Sequence, residues 1–180
     1  MEQVSTTSKT YESVVGDPKF QEWFKDSKVV DGNAKPMLVY HKTTKGFEKF
    51  NPAKGQFGNH FGTLEAAEEI KPFRDTNTRF FAVFLNIKKP LRIQGDQKDW
   101  GMNVRDLILT NSLYDIDPQL KNELLDQWNT FDSVEEVKEL LVRYGYDGIA
   151  YQNHYEDFDS ASWITFNKNQ AWSLYANKPI

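Results

Sequence analysis

The segment that decides the fold is RFFAVFLNI, residues 79–87, a nearly continuous run of apolar and aromatic side chains. It is short for a helix, and its Phe, Val and Ile content is typical of a strand that is buried on both faces. Pro90 follows closely and has no backbone N–H to give to a sheet ladder. We therefore predict a central β-strand that ends before Pro90.

Other strand-like segments lie on both sides of this run, and a helical region separates them. MLVYH (37–41) lies upstream, and DGIAYQ (147–152), SWITF (162–166) and AWSLY (171–175) lie downstream. Between them, residues 103–145 have the apolar spacing of helices. Strands at both ends with helices between them indicate an α+β fold with an antiparallel or mixed sheet, and not a doubly wound α/β array.

The N-terminal sequence predicts a short flexible segment followed by a folded domain. Residues 17–27, DPKFQEWFKDS, have the pattern of a short amphipathic helix with Asp17 as its N-cap and Pro18 in its first turn. Residues 1–16 begin with a Ser- and Thr-rich stretch, and we interpret them as a flexible N-terminus. The length fits one domain, which we assign to residues 17–180.

The composition excludes several classes of site. The 180 residues include no cysteine, which excludes disulfides, thiolate metal sites and a cysteine nucleophile. The three histidines, His41, His60 and His154, have no i, i+4 spacing, so we expect no metal. The net charge is −4 and the Lys and Arg residues are dispersed, which does not favour non-specific nucleic-acid binding.

The N-terminal stretch MEQVSTTSKTYESVV lacks the features of a secretory signal, since no basic region precedes an apolar one. No apolar run in the chain is long enough to cross a membrane. We expect a soluble cytoplasmic protein without a membrane partner.

Short catalytic motifs leave the chemistry open. The chain has no Walker A loop, no GxGxxG and no GxSxG. EDFDS (156–160) gathers the carboxylates of Glu156, Asp157 and Asp159, but it lacks the spacing of an EF-hand. Such a cluster is more often a solvated loop than an acid/base pair, so the motifs alone indicate only a soluble α+β domain.

The order of five blocks is more specific than any single motif. Together they resemble the ADP-ribosyltransferase domains of phage polyvalent proteins, relatives of the poly(ADP-ribose) polymerase and diphtheria-toxin-like group. The blocks are KFQEWFKDSKVVDGNAKPMLVYHKT (19–43), GNHFGTLEAAEE (58–69), FFAVFLNIKKPLRI (80–93), GYDGIAYQNHYED (145–157) and SWITFNKNQAWS (162–173). The resemblance covers the chain from about Pro18 onward and implies a split antiparallel β core of two small sheets, with peripheral helices and a helical insert around 103–145.

The resemblance implies that NAD is the substrate and that it binds at the end of the strand containing His41. His41 would donate a hydrogen bond to a ribose hydroxyl. Lys42 stands where the family usually has glycine, and its backbone would bind the nicotinamide carboxamide. If the family's conformation there has a positive φ, lysine in place of glycine would cost about 1 kcal/mol of conformational strain. Tyr40 and Thr43 would belong to the same NAD-binding strand end.

The second and last blocks supply the other candidate residues. Phe61 would line the pocket or the core, and His60 alternates with it toward the ligand or toward solvent. Relatives carry a stacking Tyr on the next helix, which this chain lacks; Phe57 or Phe73 are possible substitutes. Ser162 stands where polymerase relatives have the catalytic Glu.

Glu156 is therefore the candidate catalytic carboxylate, because phage members carry an acid upstream of this serine. A carboxylate suits the reaction because positive charge develops at the anomeric carbon as nicotinamide leaves. The alternative for EDFDS remains an ordinary solvated loop.

Three functions are compatible with these residues. The first is a mono-ADP-ribosyltransferase that acts on a macromolecular acceptor, a protein by preference and encoded by a phage or mobile element. The second is a non-catalytic relative that binds NAD, another nucleotide or a protein partner. The third is an NAD glycohydrolase or an enzyme with a nucleic-acid acceptor. The acidic net charge disfavours the nucleic-acid acceptor.

Overall fold

The computed structural model describes residues 10–55, 57–70, 78–96, 100, 104–111, 116–126 and 133–180. In this part of the chain the helices are α1 (residues 10–15), α2 (Pro18–Phe24), α3 (Leu64–Glu69), α4 (Val104–Asn111), α5 (Pro118–Asp126) and α6 (Val134–Arg143). The strands are β1 (Val39–Thr43), β2 (Asn59–Phe61), β3 (Arg79–Leu85), β4 (Pro90–Ile93), β5 (Gly148–Gln152), β6 (Ala161–Thr165), β7 (Ala171–Ser173) and β8 (Lys178–Pro179).

The strands form two small sheets, as the α+β interpretation requires. The first has the order β1-β3-β7-β8 and the second the order β2-β6-β5-β4. Every pairing is antiparallel except that of β4 with β5. The predicted fold class is therefore confirmed.

Strand β3 lies inside the first sheet, between β1 and β7, as its apolar sequence predicts. Its side chains alternate between two core clusters, with Val83 and Leu85 in one and Ala82 and Phe84 in the other. All four residues are buried. Burial on both faces explains why this strand has no polar alternation.

The helical region between β4 and β5 covers the second sheet. Apolar residues of α4, α5 and α6 share one core cluster with Leu91, Ile93, Ile149 and Ile164 of the sheet. The helices predicted over 103–145 are thus present in the described parts of that range. None of the described helices is long and apolar enough to span a membrane.

Helix α1 lies within the segment interpreted above as a flexible N-terminus. Val14 is buried in the cluster that contains Phe20 and Phe84, and the hydroxyl of Tyr11 donates to the carbonyl of Pro36 at 2.8 Å. The packed part of the chain therefore begins before residue 17. Asp17 caps α2 as predicted, because its side chain accepts from the N–H of Lys19.

The two sheets meet at one end through the backbone. The N–H of Tyr40 donates to the carbonyl of Gly62 at 2.8 Å, and the N–H of Gly62 donates to the carbonyl of Tyr40 at 3.1 Å. This isolated bridge joins β1 of the first sheet to the residue that follows β2 of the second.

Gln170 joins the sheets again through its buried amide. Its Oε1 accepts from the N–H groups of Phe166 (3.0 Å) and Asn167 (2.7 Å). Its Nε2 donates to the carbonyls of Asn86 (3.0 Å) and Asp147 (2.9 Å), which follow β3 and precede β5. These four contacts give Gln170 a structural role.

Replacement of Gln170 with Ala should lower the free energy of unfolding by about 2–4 kcal/mol, because buried backbone groups lose their partners. Chemical denaturation measures this change. Gln21→Ala is the matched control, since Gln21 is exposed and makes one side-chain bond, to Val15. Equal effects of the two substitutions would contradict the role given to Gln170.

Candidate functional site

A cavity of about 580 Å³ lies between the two sheets, beside the Tyr40–Gly62 bridge. Its walls come from the end of β1, the loop 44–55, strand β2, helix α3 and the segment around the β5–β6 loop. The predicted site residues all line this cavity: Tyr40, His41, Lys42, Thr43, His60, Phe61, Glu156 and Ser162. Residues far apart in sequence are thus brought to one place.

The ring of His41 is packed among aromatic side chains. Its centroid lies 5.1 Å from that of Phe50, 5.5 Å from that of Phe61 and 6.2 Å from that of Phe47. The Nδ1 atom lies 2.7 Å from the carbonyl oxygen of His60. Since a carbonyl only accepts, Nδ1 must hold a proton and donate.

This hydrogen bond determines what His41 offers to a ligand. Burial lowers the pKa of His41 below its ordinary value, although the bond to His60 opposes the shift in part. The neutral ring with its proton on Nδ1 has an unprotonated Nε2, which accepts a hydrogen bond. A hydroxyl that bonds Nε2 would therefore donate to His41, whereas the resemblance implied that His41 donates.

Lys42 presents its backbone to the cavity. The N–H and C=O of Tyr40 point toward Gly62. In an antiparallel strand, the N–H and C=O groups of every second residue point to the same edge. The N–H and C=O of Lys42 therefore point to the side of β2 and α3, beyond the end of β2. Lys42 is not among the described non-glycine residues with positive φ, so its side chain causes no strain there.

The side chain of Lys42 supports the cavity wall instead of occupying the cavity. Its Nζ donates to the carbonyls of Glu68 (2.7 Å) and Ile70 (2.6 Å) at the end of α3. Thr43 has a local role as well, because its Oγ1 accepts from the N–H of Lys45 at 3.1 Å.

Tyr40 and Phe61 line the cavity in different ways. The ring of Tyr40 packs against the cluster with Phe84 and Trp172, so it lies on the face of β1 opposite to His41. Phe61 is 2% exposed and belongs to the core cluster beneath the cavity. Both residues are thus mainly structural, with Tyr40 placing the backbone that leads to His41.

His60 faces the cavity side of the second sheet and not open solvent. Its ring lies 5.5 Å from Trp100 and 6.2 Å from Tyr151, and its Nδ1 is 3.5 Å from the Tyr151 hydroxyl. Trp100 is 4% exposed and also lines the cavity. Asp96 accepts from the indole N–H of Trp100 at 3.3 Å and lines the cavity too.

Asn153 organises the acidic loop between β5 and β6. The residue is 2% exposed, and its Oδ1 accepts from the N–H groups of Tyr155 (3.0 Å), Glu156 (2.9 Å) and Asp157 (3.2 Å). Its Nδ2 donates to Oγ of the buried Ser162 at 3.2 Å. One amide therefore fixes the backbone that presents Glu156.

The three carboxylates of this loop have different environments. Asp157 accepts from the hydroxyl of Thr63 at 2.6 Å, and Asp159 accepts from the amide of Gln152 at 2.8 Å. Of the three, only Glu156 lines the cavity. The geometry thus favours Glu156 over its two neighbours as a group that acts on a ligand.

Tyr151 is a buried phenol in the cavity wall. Burial, together with the charge of Asp96 and, to a smaller extent, of Glu156, raises the pKa of Tyr151 well above its ordinary value. The hydrogen bond from Ser162 offsets part of this effect. Tyr151 therefore stays a neutral phenol. Within the described ranges, no group of three or more His, Cys, Asp or Glu side chains is arranged to hold a metal ion.

A family model described as "ADP-Ribosyltransferase in polyvalent proteins" matches residues 31–180. The chain belongs to this family. The resemblance seen in the five sequence blocks is thereby confirmed. Comparison with curated proteins and comparison with solved structures each give no match.

The matched range includes every strand of the described residues and the whole cavity lining. It begins at Asp31 and so leaves α1 and α2 outside. The cavity lining from α3 consists of Ala66 and Ala67, followed by Ile70, with no aromatic residue.

Aromatic residues line the cavity from other elements than α3. Phe47 and Phe50 line the cavity beside His41. Of the two substitutes suggested from the sequence, Phe57 is buried against Trp100 and Phe166 and is not part of the lining. Phe73 lies outside the described residues. The spacing of Phe47 and Phe50, immediately after the strand of His41, is the signal that would have found them.

We predict that nitrogen NMR of the imidazole rings will identify His41 as the Nδ1–H tautomer with a pKa below its ordinary value. Below about pH 6.5 the unfolded chain takes up a proton that folded His41 resists, so this residue lowers the free energy of unfolding as the pH falls. His41→Gln should make stability less sensitive to pH between about pH 7 and pH 5.5. An Nε2–H tautomer would contradict the assignment.

Replacement of Asn153 with Ala should free the acidic loop. Amide hydrogen exchange of Glu156 and Asp157 should become at least about tenfold faster, since each loses a buried acceptor. Asn33→Ala, in an exposed turn, is the matched control. Unchanged exchange in a folded Asn153→Ala protein would show that other contacts hold the loop.

Proposed function

We propose that the protein is an NAD-dependent mono-ADP-ribosyltransferase that modifies a macromolecular acceptor, with protein as the acceptor class. The observation that carries the proposal is the meeting of neutral His41, the backbone of Lys42 and the carboxylate of Glu156 in one cavity. A cavity of about 580 Å³ is within the range of small-molecule sites, roughly 300–1,000 Å³.

The first role is to hold the nicotinamide half of NAD. The N–H and C=O of Lys42 form a donor and acceptor pair that suits a carboxamide, which has one acceptor oxygen and an NH₂ donor. His41 Nε2 accepts from a ribose hydroxyl. The rings of Phe47 and Phe50 exclude water from this end of the cavity.

The second role is to stabilise the charge that develops at the ribose. The bond between C1′ of the ribose and the nicotinamide nitrogen breaks, and its electron pair goes to the nitrogen, so neutral nicotinamide leaves. The carboxylate of Glu156 stabilises the cationic ribose carbon. An acceptor nucleophile then bonds to C1′ and loses its proton to solvent or to a carboxylate.

The family resemblance supports a phage or other mobile-element origin, with the host cytoplasm as the place of action. Catalysis by Glu156, and not only binding, is part of this proposal. A protein that bound NAD without cleaving it, or that cleaved it with water as acceptor, would be distinguished by the following experiment.

The test uses NAD labelled separately in its nicotinamide and adenylate halves, with and without host cell lysate. Wild-type protein should transfer adenylate label to a lysate component. Glu156→Gln should reduce transfer by about 100-fold or more, and His41→Ala should weaken NAD affinity by about tenfold. Glu22→Gln, an exposed carboxylate on α2, is the matched control and should have no effect.

Three outcomes would decide against parts of this proposal. Free nicotinamide without lysate would indicate a glycohydrolase. NAD binding without nicotinamide release would indicate a non-catalytic relative. Full activity of a folded Glu156→Gln protein would remove Glu156 from the catalytic role.

A further inference from the structure

The cavity wall holds a second carboxylate besides that of Glu156. Among the described residues of the lining, Asp96 is the other acidic one. Asp96 lies three residues after the end of β4, and Glu156 lies four residues after the end of β5. Strands β4 and β5 are paired in parallel, so their C-terminal ends meet at one edge of the second sheet. The parallel pairing therefore brings both carboxylates to the edge at which the cavity lies.

Two hydrogen bonds hold the carboxylate of Asp96 at this edge. Its Oδ1 accepts from the indole N–H of Trp100 at 3.3 Å, and its Oδ2 accepts from the backbone N–H of His154 at 3.2 Å. His154 belongs to the β5–β6 loop and lies two residues before Glu156. These two bonds use about half of the lone-pair sites of a carboxylate. Asp96 is thus oriented by the same loop that presents Glu156.

Aromatic rings lie beside this half-buried carboxylate. The ring of Trp100 lies 4.8 Å from that of Tyr151 and 5.5 Å from that of His60, and all three rings line the cavity. Besides burial, the charges of Asp96 and Glu156 both raise the pKa of Tyr151, so the two carboxylates act on the same part of the cavity. A proton released there meets an aromatic wall in place of bulk water, and a fixed base is then of advantage.

The proposed transfer needs two different tasks from carboxylates. Glu156 stabilises the cationic C1′ carbon only while it carries its charge. A proton taken up by Glu156 in the same step would remove that charge. The nucleophilic atom of the acceptor becomes positive as it bonds to C1′, so its proton becomes acidic enough for a carboxylate to take it. A second carboxylate in the same cavity allows the two tasks to be divided.

We propose that Asp96 is the general base that takes the proton from the acceptor nucleophile. The inference rests on the proposed function, in which ADP-ribose passes from NAD to a protein. As the oxygen or nitrogen atom of the acceptor bonds to C1′, its bond to hydrogen breaks and the proton passes to the carboxylate of Asp96, which later releases it to solvent. The electron pair of the broken bond between C1′ and nitrogen leaves with nicotinamide. Glu156 keeps its charge throughout.

This division of tasks narrows the chemistry of the acceptor side chain. A base serves an acceptor whose nucleophilic atom carries a proton, such as a hydroxyl or a guanidinium group. An ionised aspartate or glutamate has no such proton, and the charges of Asp96 and Glu156 would repel it. The modified side chain is therefore a hydroxyl or a nitrogen base and not a carboxylate.

The test separates NAD binding from transfer. Asp96→Asn should lower the transfer of adenylate label from NAD to the proteins of a host cell lysate by about 100-fold, since general bases contribute roughly 10²–10⁴-fold. The dissociation constant for NAD should stay within about twofold of its original value. Calorimetry in the Glu156→Gln background measures this constant while NAD is not consumed.

Chemical rescue distinguishes a base from a group that only holds the loop. In Asp96→Ala, added formate should restore transfer by about tenfold, because a small carboxylate fits the space left by the side chain but is not held in place. Asp126→Asn, which removes an exposed carboxylate on α5 outside the cavity lining, is the matched control and should behave as the wild type. Loss of transfer that formate does not restore would make Asp96 a structural group and overturn the inference.

Mass-spectrometric mapping of the residue modified by the wild type tests the inference without any variant. A modified aspartate or glutamate would overturn it. Undiminished transfer by Asp96→Asn would retain the transferase and reject only the base. Release of nicotinamide without transfer by the wild type would reject the transferase itself, and the base with it.

Discussion

The bridge between Tyr40 and Gly62 is the interaction on which the site depends. Two backbone hydrogen bonds join the sheets there and set the alternation of β1. That alternation turns the peptide groups of Lys42 toward the cavity and puts the ring of His41 on the core side of the strand. Without this pairing, the carbonyl of His60 would not lie within reach of His41 Nδ1.

The amide of Gln170 joins the two sheets a second time, from the turn between β6 and β7. It bonds the residue that follows β3 and the residue that precedes β5, as well as the first residues of its own turn. The Tyr40–Gly62 bridge, this amide and a core cluster shared by both sheets hold a preformed cleft, which needs little rearrangement to bind a ligand. Basic and acidic side chains reach the cleft from different loops. The basic side chains come from the loop after β1, and Glu156 comes from the loop after β5.

The features that sequence could predict are those determined by local pattern or by ordered resemblance. Strand β3 follows from its apolar run, the cap of α2 follows from Asp17, and the positions of His41 and Glu156 in one cavity follow from the five blocks. Strand β8, Lys178–Pro179, could not be predicted, because a two-residue strand exists only through its pairing with β7. Its contact depends on tertiary structure and leaves no periodic signal.

The same limit applies within the site. The direction of the His41 hydrogen bond depends on a carbonyl from another sheet, and the role of Asn153 depends on how one loop folds around its side chain. The helical pattern of 10–15 is too short to be read with assurance from sequence. Asp96 and Trp100 give no local signal, since they reach the cavity only through the packing of the second sheet.

Helix α3 is the part of the cavity wall with the least stability of its own, because a helix of six residues is too short to persist in isolation. Thr63 at its start bonds Asp157 of the acidic loop, and its last carbonyls accept from Lys42 of β1. The start of the helix is thus bonded to the loop that presents Glu156, and its end is bonded to the strand that presents His41. The order of this helix is therefore a measure of whether the whole cleft is assembled, and slow amide exchange along it would report the assembled state without any ligand present.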